Sequence, residues 1–417
     1  MKKTLLLQTA LVAAAGLFVA DVASAQVKAE PLAATVGGYF NQFYKVQDRD
    51  KDTAVDQRPD AFSSDAEIWF NIRGVLDNGT VIGGRVELEA ASYGDQIDER
   101  YLFVERADIG RVELGSTDRV TGKMLYFAPN SLPGHGTTVH SEYSATPNAP
   151  LMWFANANHD KEGINVYTAS NRYFGSKAGK GLQLGFSYVP DGCEDFDANP
   201  STATTTAGMC GNSKFGSSTN TGQVSAQYAA AANYLETFGQ VDAALYAGYN
   251  SVNREATTAS TATASGAGKG RVDGWQLGTT LTYNVGDGSS VALGGGYTKE
   301  DLSKRDGATL DRDRKAWTVG LRYLTNGAAP GSIGIGVEFY RRSDSNTLNG
   351  AAAGGAANTG DQDLDYYHLG LTYQVAAGVL AFAGVGVSDL DQPGNIGSGT
   401  GSDSKQTFGV VGLGLTF

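Results

Sequence analysis

Residues 275–300 read WQLGTTLTYNVGDGSSVALGGGYTKE. Apolar Trp275, Leu277, Leu281, Tyr283 and Val285 alternate with Gln276, Gly278, Thr280, Thr282 and Asn284, and only Thr279 interrupts the apolar series. A side-chain period of two is that of a strand. The VGDGSS that follows is turn chemistry, and the alternation resumes at Val291, Leu293 and Tyr297. The pattern recurs as Leu182, Leu184, Phe186 and Tyr188 against Gln183, Gly185 and Ser187, and as Trp317, Val319, Leu321 and Tyr323 against Thr318, Gly320 and Arg322. It returns as Ile333, Ile335, Val337 and Phe339 against Gly334, Gly336, Glu338 and Tyr340. The second face constrains the fold most. A soluble sandwich turns a charged face to water, whereas here that face is mostly Gly, Thr, Ser, Gln and Asn. A face of that kind suits a wet interior, with the oily face turned outward to lipid. Backbone amides cannot stay unpaired in hydrocarbon, so such a sheet must close on itself.

Alternation of this kind predicts sixteen strands: 35–48, 64–76, 80–93, 100–109, 111–120, 162–170, 182–190, 222–234, 240–252, 271–285, 289–300, 314–325, 331–343, 362–375, 378–389 and 404–417. The apolar run 375–387 is too short for a spanning helix and holds Gly378, Gly384 and Gly386, so it reads as strand, turn, strand. The alanine-rich 228–236 is a fair helix by propensity, but the strand pattern continues through it. Connections alternate between short turns, such as DNGT (77–80) and AAG (376–378), and long Ala/Gly/Ser/Thr loops, such as 254–270 and 346–360. Short at one end and long at the other is the layout of an outer-membrane barrel. Tyr188, Tyr283, Tyr297, Tyr323 and Tyr373 near strand ends fit its interfacial girdles.

The chain begins with MKK, continues with an apolar stretch and reaches Ala23-Ser24-Ala25, a small-x-small site. Residues 1–25 therefore read as a cleaved export signal, with the mature barrel at 26–417. Over 417 residues the hydrophobic share is 41% with 56 glycines, too little for several packed cores. The formal charge of -12 argues against nucleic acid as a partner. Cys193 and Cys210 lie in one loop-like stretch of an exported chain; a disulfide closing that loop is expected, two free thiols being the alternative.

Chemistry beyond a channel finds little support. His135, His140 and His159 cluster in one irregular stretch and His368 lies on a strand, but the spacing matches no usual metal motif. Asp48, Asp50 and Asp52 open like a calcium loop. Thr53 stands where that loop needs glycine and Pro59 where it needs glutamate, so a solvated acidic loop is the reading and loop-bound Ca2+ the alternative. No cofactor is expected. The sequence holds no nucleophile elbow, phosphate-cradling loop or HExxH, so no enzyme is expected.

The last strand, TFGVVGLGLTF, ends on Phe417, with Leu415 two before it and Gly412 five before it. This looks like the C-terminal signal read by the barrel assembly machinery, although Val410 stands where a polar residue is expected. Together with GRVELGSTDRV (110–120), which looks like a fifth strand of that family, the chain resembles the general diffusion porins of Gram-negative bacteria, most closely the alpha-proteobacterial type. The resemblance implies a 16-stranded antiparallel transmembrane β-barrel in the outer membrane. It also implies an inward-folded constriction loop after strand 5, here the irregular segment 121–161. It implies a homotrimer among outer-membrane lipid and lipopolysaccharide that passes small hydrophilic solutes and ions. In such a constriction, wall bases face loop acids. The candidates are Lys45, Arg73, Arg85, Arg106 and Arg119 on the wall, Glu142 and Asp160 on the loop, and Glu87 and Glu89 as further lumen acids. A substrate-selective channel and a structural or adhesive barrel are the alternatives.

Overall fold

A computed structural model describes residues 29–49, 59–90, 97–129, 132, 152, 154, 161–169, 179–190, 224–254, 270–301, 313–327, 329–349, 358–391 and 404–417. Its strands are β1 (Glu30–Arg49), β2 (Asp60–Val75), β3 (Val81–Glu89), β4 (Ile97–Arg106), β5 (Gly110–Ser116) and β6 (Glu162–Thr168). They continue as β7 (Gly181–Val189), β8 (Val224–Phe238), β9 (Val241–Arg254), β10 (Gly270–Gly286) and β11 (Ser289–Asp301). The last five are β12 (Asp313–Leu324), β13 (Ile333–Asn349), β14 (Asn358–Ala376), β15 (Val379–Asp391) and β16 (Ser404–Thr416). A one-turn helix, α1 (Val120–Lys123), follows β5. Each strand pairs antiparallel with its chain neighbours and β1 pairs with β16, so the sheet is a closed barrel.

All sixteen expected strands are present. The alanine-rich stretch lies inside β8, and Gly378, at φ +72°, turns β14 into β15. Two differences have physical causes. Strands such as β13 and β14 run several residues further toward the long loops than alternation suggested. There the outward positions are polar (Arg341, Ser343, Asp363, Asp365), so the apolar signal stops while the ladder continues. β5 ends at Ser116, and the residues read as its continuation instead form the root of α1.

Turn chemistry fixes the short ends. Asp287 and Gly288 have φ of 51° and 81°, and Asn326 and Gly327 have 48° and 61°. Between β10 and β11, Asp287-Gly288 has the two successive positive φ values of a type I′ hairpin, and Asn326-Gly327 uses the same tolerance within the longer β12–β13 connection. The two faces are inverted relative to a soluble protein. Leu277 is 52% exposed while its neighbour Gln276 is 1% exposed. Leu321 and Leu413 are also open, whereas Thr298, Thr318 and Gln227 are buried. Tilted rings pack along the outward face toward the long loops: Trp275 against Tyr297 (5.1 Å), Trp317 against Phe339 (4.5 Å) and Phe339 against Tyr367 (4.7 Å). Tyr283, Tyr323 and Tyr373 mark the outward face near the short turns. Two aromatic levels with Leu, Ile and Val between them form a lipid-facing band.

Closure depends on the last residue. The Gly38 amide donates to the Phe417 carbonyl (3.0 Å) and the Phe417 amide to the Gly38 carbonyl (3.1 Å). Leu415 and Phe417 point outward and are exposed. Gly412 faces inward, where a Cβ would collide with the Phe382 ring.

Candidate functional site

The chain leaves β5 and turns into the barrel. The root of this segment is pinned on all sides. The Arg119 guanidinium is fully buried and donates to the carbonyls of Thr117 and Lys161. The Val120 amide donates to Ser187 Oγ (2.9 Å), and Glu99 accepts from the Thr117 hydroxyl and from the Asp118 amide (2.7 Å).

Beyond the root, the described residues lie against inward-facing wall positions from β7 round to β15. Buried backbone carbonyls need donors, and the wall supplies them. Tyr246 donates to Thr121 O (2.8 Å) and Thr280 to Phe127 O (2.6 Å). Gln276 (2.7 Å) and Thr298 (2.9 Å) both donate to Met152 O. Side chains are seated on glycine. A Cβ on Gly278 or Gly296 would strike the Phe127 ring, and one on Gly185 would strike Met124. Gly274 makes room for Phe154 and Gly384 for Leu132. The small inward residues of the alternation are therefore a trench for this segment. With Phe43, Tyr340, Tyr366, Phe382 and Phe408 from the wall, Val120, Met124, Phe127, Leu132 and Met152 form an apolar cluster inside the barrel.

The wall from β2 to β6 is charged instead. Lys123 of α1 lies 3.3 Å from Glu113 and 3.7 Å from Glu99, with its ammonium 4.4 Å from the Tyr101 ring centre. Burial opposes the Lys123 charge, but Glu113 and Glu99 outweigh it and hold its pKa above the ordinary lysine value. Glu113 also accepts from Arg111 (2.8 Å), Asn165 (3.0 Å) and Tyr167 (3.2 Å). Further toward the long loops, single carboxylate oxygens of Glu67, Glu89 and Asp98 all lie within 4.8 Å of one another. Trp69 donates to Glu67 (2.8 Å), and the Tyr39 hydroxyl lies 2.9 Å from both Asp65 and Glu67. Across the barrel, Arg314 (2.7 Å) and Arg342 (3.2 Å) share Asp344.

The described residues among those expected at a constriction lie at several places. Arg85 lies mid-wall, stacked on Trp69 at 4.5 Å and ion-paired to Glu87. Arg73 lies toward the short turn, exposed and bound to Glu30 at 3.1 Å. Arg106 shares strand parity with outward Leu102 and is buried at the β4–β5 turn against Asp108 (3.2 Å). Arg119 is in the segment root rather than on the wall. Lys45 is on the inward face of β1 opposite Val410. Glu87 and Glu89 both face inward on β3, and Glu87 is buried. Asp48 is exposed near the end of β1. Glu142, Asp160, Cys193, Cys210, Asp50 and Asp52 lie outside the described residues, as do His135, His140 and His159. His368 is buried on β14, ring-stacked near Phe408.

Sequence reasoning passed over Lys123, Glu99, Arg111, Glu113, Arg314 and Arg342. Arg111 and Glu113 alternate with Val112 and Leu114, so parity alone would have turned them inward. The resemblance put Lys123 in an inward-folded segment, but nothing in the sequence signalled its contact with Glu113.

The model of the Gram-negative porin family matches residues 9–393. No curated protein matches the sequence. Among solved structures the chain is similar to OmpF of Salmonella typhi in complex with daunomycin, with a TM-score of 0.55 at 14% identity, covering 93% of this chain and 98% of that one. It is also similar to an anion-selective porin from Comamonas acidovorans, with a TM-score of 0.53 at 16% identity, covering 93% and 100%. The trimer form of OmpT from Vibrio cholerae gives a TM-score of 0.53 at 15% identity, covering 92% and 100%. At such identities these likenesses speak for the fold. With the family match across most of its length and a closed lipid-faced barrel of sixteen strands, the chain belongs to the Gram-negative porins and forms a channel in the bacterial outer membrane.

Proposed function

We propose that this channel passes small hydrophilic solutes and ions passively, filtered where the segment after β5 narrows the bore. The observation that carries this reading is the seating of that segment: its carbonyls and rings are held by donors and glycines of the opposite wall, which leaves the charged β2–β6 wall as the side that borders water. Carboxylates outnumber bases along that wall, with Glu67, Glu87, Glu89, Asp98, Glu99 and Glu113 close together, so cations are preferred. Residues 1–25 serve as the export signal and 121–161 as the constriction loop. The protein works as a channel and not as an enzyme. A homotrimer is supported by the trimer form of the OmpT relative, and an alpha-proteobacterial affinity by GRVELGSTDRV at β5.

A second reading, a solute-selective channel, is favoured by one cavity of about 320 Å³ beside α1, lined by Glu105, Arg111, Glu113, Lys123, Tyr167 and Gln183. Such a pocket offers both signs of charge to a zwitterionic solute. Planar-bilayer recording of the purified protein separates the readings. Ohmic steps in groups of three, with a reversal potential of cation sign in a potassium chloride gradient, support the diffusion channel. Block by one solute class at low concentration supports the selective one. Folded protein that inserts without conductance contradicts both.

A further inference from the structure

Among the described residues, the inward-facing arginines of this barrel are almost all neutralised. Arg73 holds Glu30, Arg85 holds Glu87, Arg111 holds Glu105 and Glu113, and Arg314 and Arg342 hold Asp344. Arg322 on β12 is different. Among the described residues no carboxylate is within ion-pair reach of its guanidinium, although Glu338, opposite Gly320, acts on it through the field. Its directly paired neighbours are Ala292 on β11 and Gly336 on β13, and its guanidinium lies over Gly334. None of these carries a polar side chain that could occupy its donors. The residue is only half-buried, so water reaches it. Arg322 is two positions short of the end of β12 and next to Gly320, over which Ala128 and Pro129 of the inward segment sit. It therefore lies at the short-turn edge of the narrowing. In a ring of sixteen strands β12 is eight strands from β4, so Arg322 faces the acid-rich wall.

A guanidinium presents a planar fork of donors matched to carboxylate and phosphate. With its partners withheld, that fork is open to whatever passes. The geometry points to Arg322 as an anion-binding station at the short-turn edge of the bore, which engages chloride, phosphate and the carboxylates of passing solutes and sets anion permeability against an otherwise acidic lumen. The station rests on the channel reading above. Among the described residues Glu338 is the one acid whose field reaches it, and it tempers the attraction without occupying the donors.

The test is the chloride-to-potassium permeability ratio, taken from reversal potentials of wild type, Arg322→Gln, Arg322→Lys and Lys315→Gln in planar bilayers. Lys315 is an exposed lysine on the outward face of β12, so its variant removes the same charge without touching the bore. Removing a bore charge a few ångströms from an ion's path changes the ratio about threefold. Arg322→Gln is expected to lower the ratio by about that factor. Arg322→Lys should restore most of it, Lys315→Gln should leave it unchanged, and inorganic phosphate should block wild type more than Arg322→Gln. Heat-modifiable migration on gels confirms that each variant is folded. An Arg322→Gln channel with the wild-type ratio, or an equal shift from Lys315→Gln, overturns the station while the channel reading stands. Folded wild type that carries no current overturns both.

Discussion

At the scale of single residues, what matters is which small side chain faces which large one. Phe127 rests on Gly278 and Gly296, with no room for a methyl group at either. Removing the ring should cost about 3–5 kcal/mol, as for other buried aromatics. Placing alanine at Gly296 should cost about 1–3 kcal/mol as overpacking. The double variant Phe127→Ala with Gly296→Ala should be less destabilised than the sum of the two, because at Gly296 the nearest neighbours of the new methyl are all atoms of the ring that has been removed. Urea unfolding midpoints in detergent would check this, and strict additivity would contradict the seat. Lys123 is a second case. Lys123→Met strips one of the two cations from the nearly buried Glu113 and, with Arg111 still in place, should cost about 1.5–3 kcal/mol. Because the Lys123 pKa is raised, its contribution is complete below the ordinary lysine value of 10.5 and is lost only as pH climbs through the higher folded value. The midpoint difference between wild type and Lys123→Met should therefore be flat from pH 7 to 9 (about neutral to mildly basic). A difference that shrinks across that window would count against the Lys123 pairing. The glycines were visible in the sequence as members of the small face. Their partner was not, because Phe127 meets them through a fold-back that no periodicity encodes. The same applies to Arg322, whose lack of a partner depends on the register that sets Ala292 and Gly336 beside it.

Strands were the most legible elements, because lipid on one side and water on the other imprints a period of two on every crossing. Legibility fails where that contrast ends. Beyond the aromatic level toward the long loops the outward face turns polar as well, and the extra length of β13 and β14 left no trace. It fails again at α1, a single turn held by Ser187, Glu99 and Arg119 rather than by its own propensity. The element-scale prediction concerns direction. Leu321→Arg puts a charge on the outward face of β12 between its two aromatic levels, and should destabilise the barrel in bilayers by about 2–4 kcal/mol. Refolding into lipid vesicles with urea titration would measure it. A cost below about 1 kcal/mol, the value for interfacial positions, would mean that Leu321 does not face hydrocarbon.

For the whole molecule, closure is the step that removes the last unpaired edges, and it runs through eleven register pairs between β1 and β16, with Phe417 bonded to Gly38 just beyond them. Deleting Phe417 removes both of those backbone bonds and an outward aromatic. Refolding into vesicles, followed by heat-modifiable migration, should show slower and less complete assembly, and unchanged assembly would refute that role. The central claim is the inversion itself, with oily side chains outside and polar ones within. Trp317 belongs to the outward row of rings, while Trp69 is held inside by Glu67 and Arg85. The most direct test is the quenching of Trp317 fluorescence by lipids brominated along their acyl chains, in a folded variant whose other tryptophans are phenylalanine. Strong quenching by brominated lipid and weak quenching by aqueous iodide is the predicted result. Protection from the lipid together with ready quenching by iodide would contradict it.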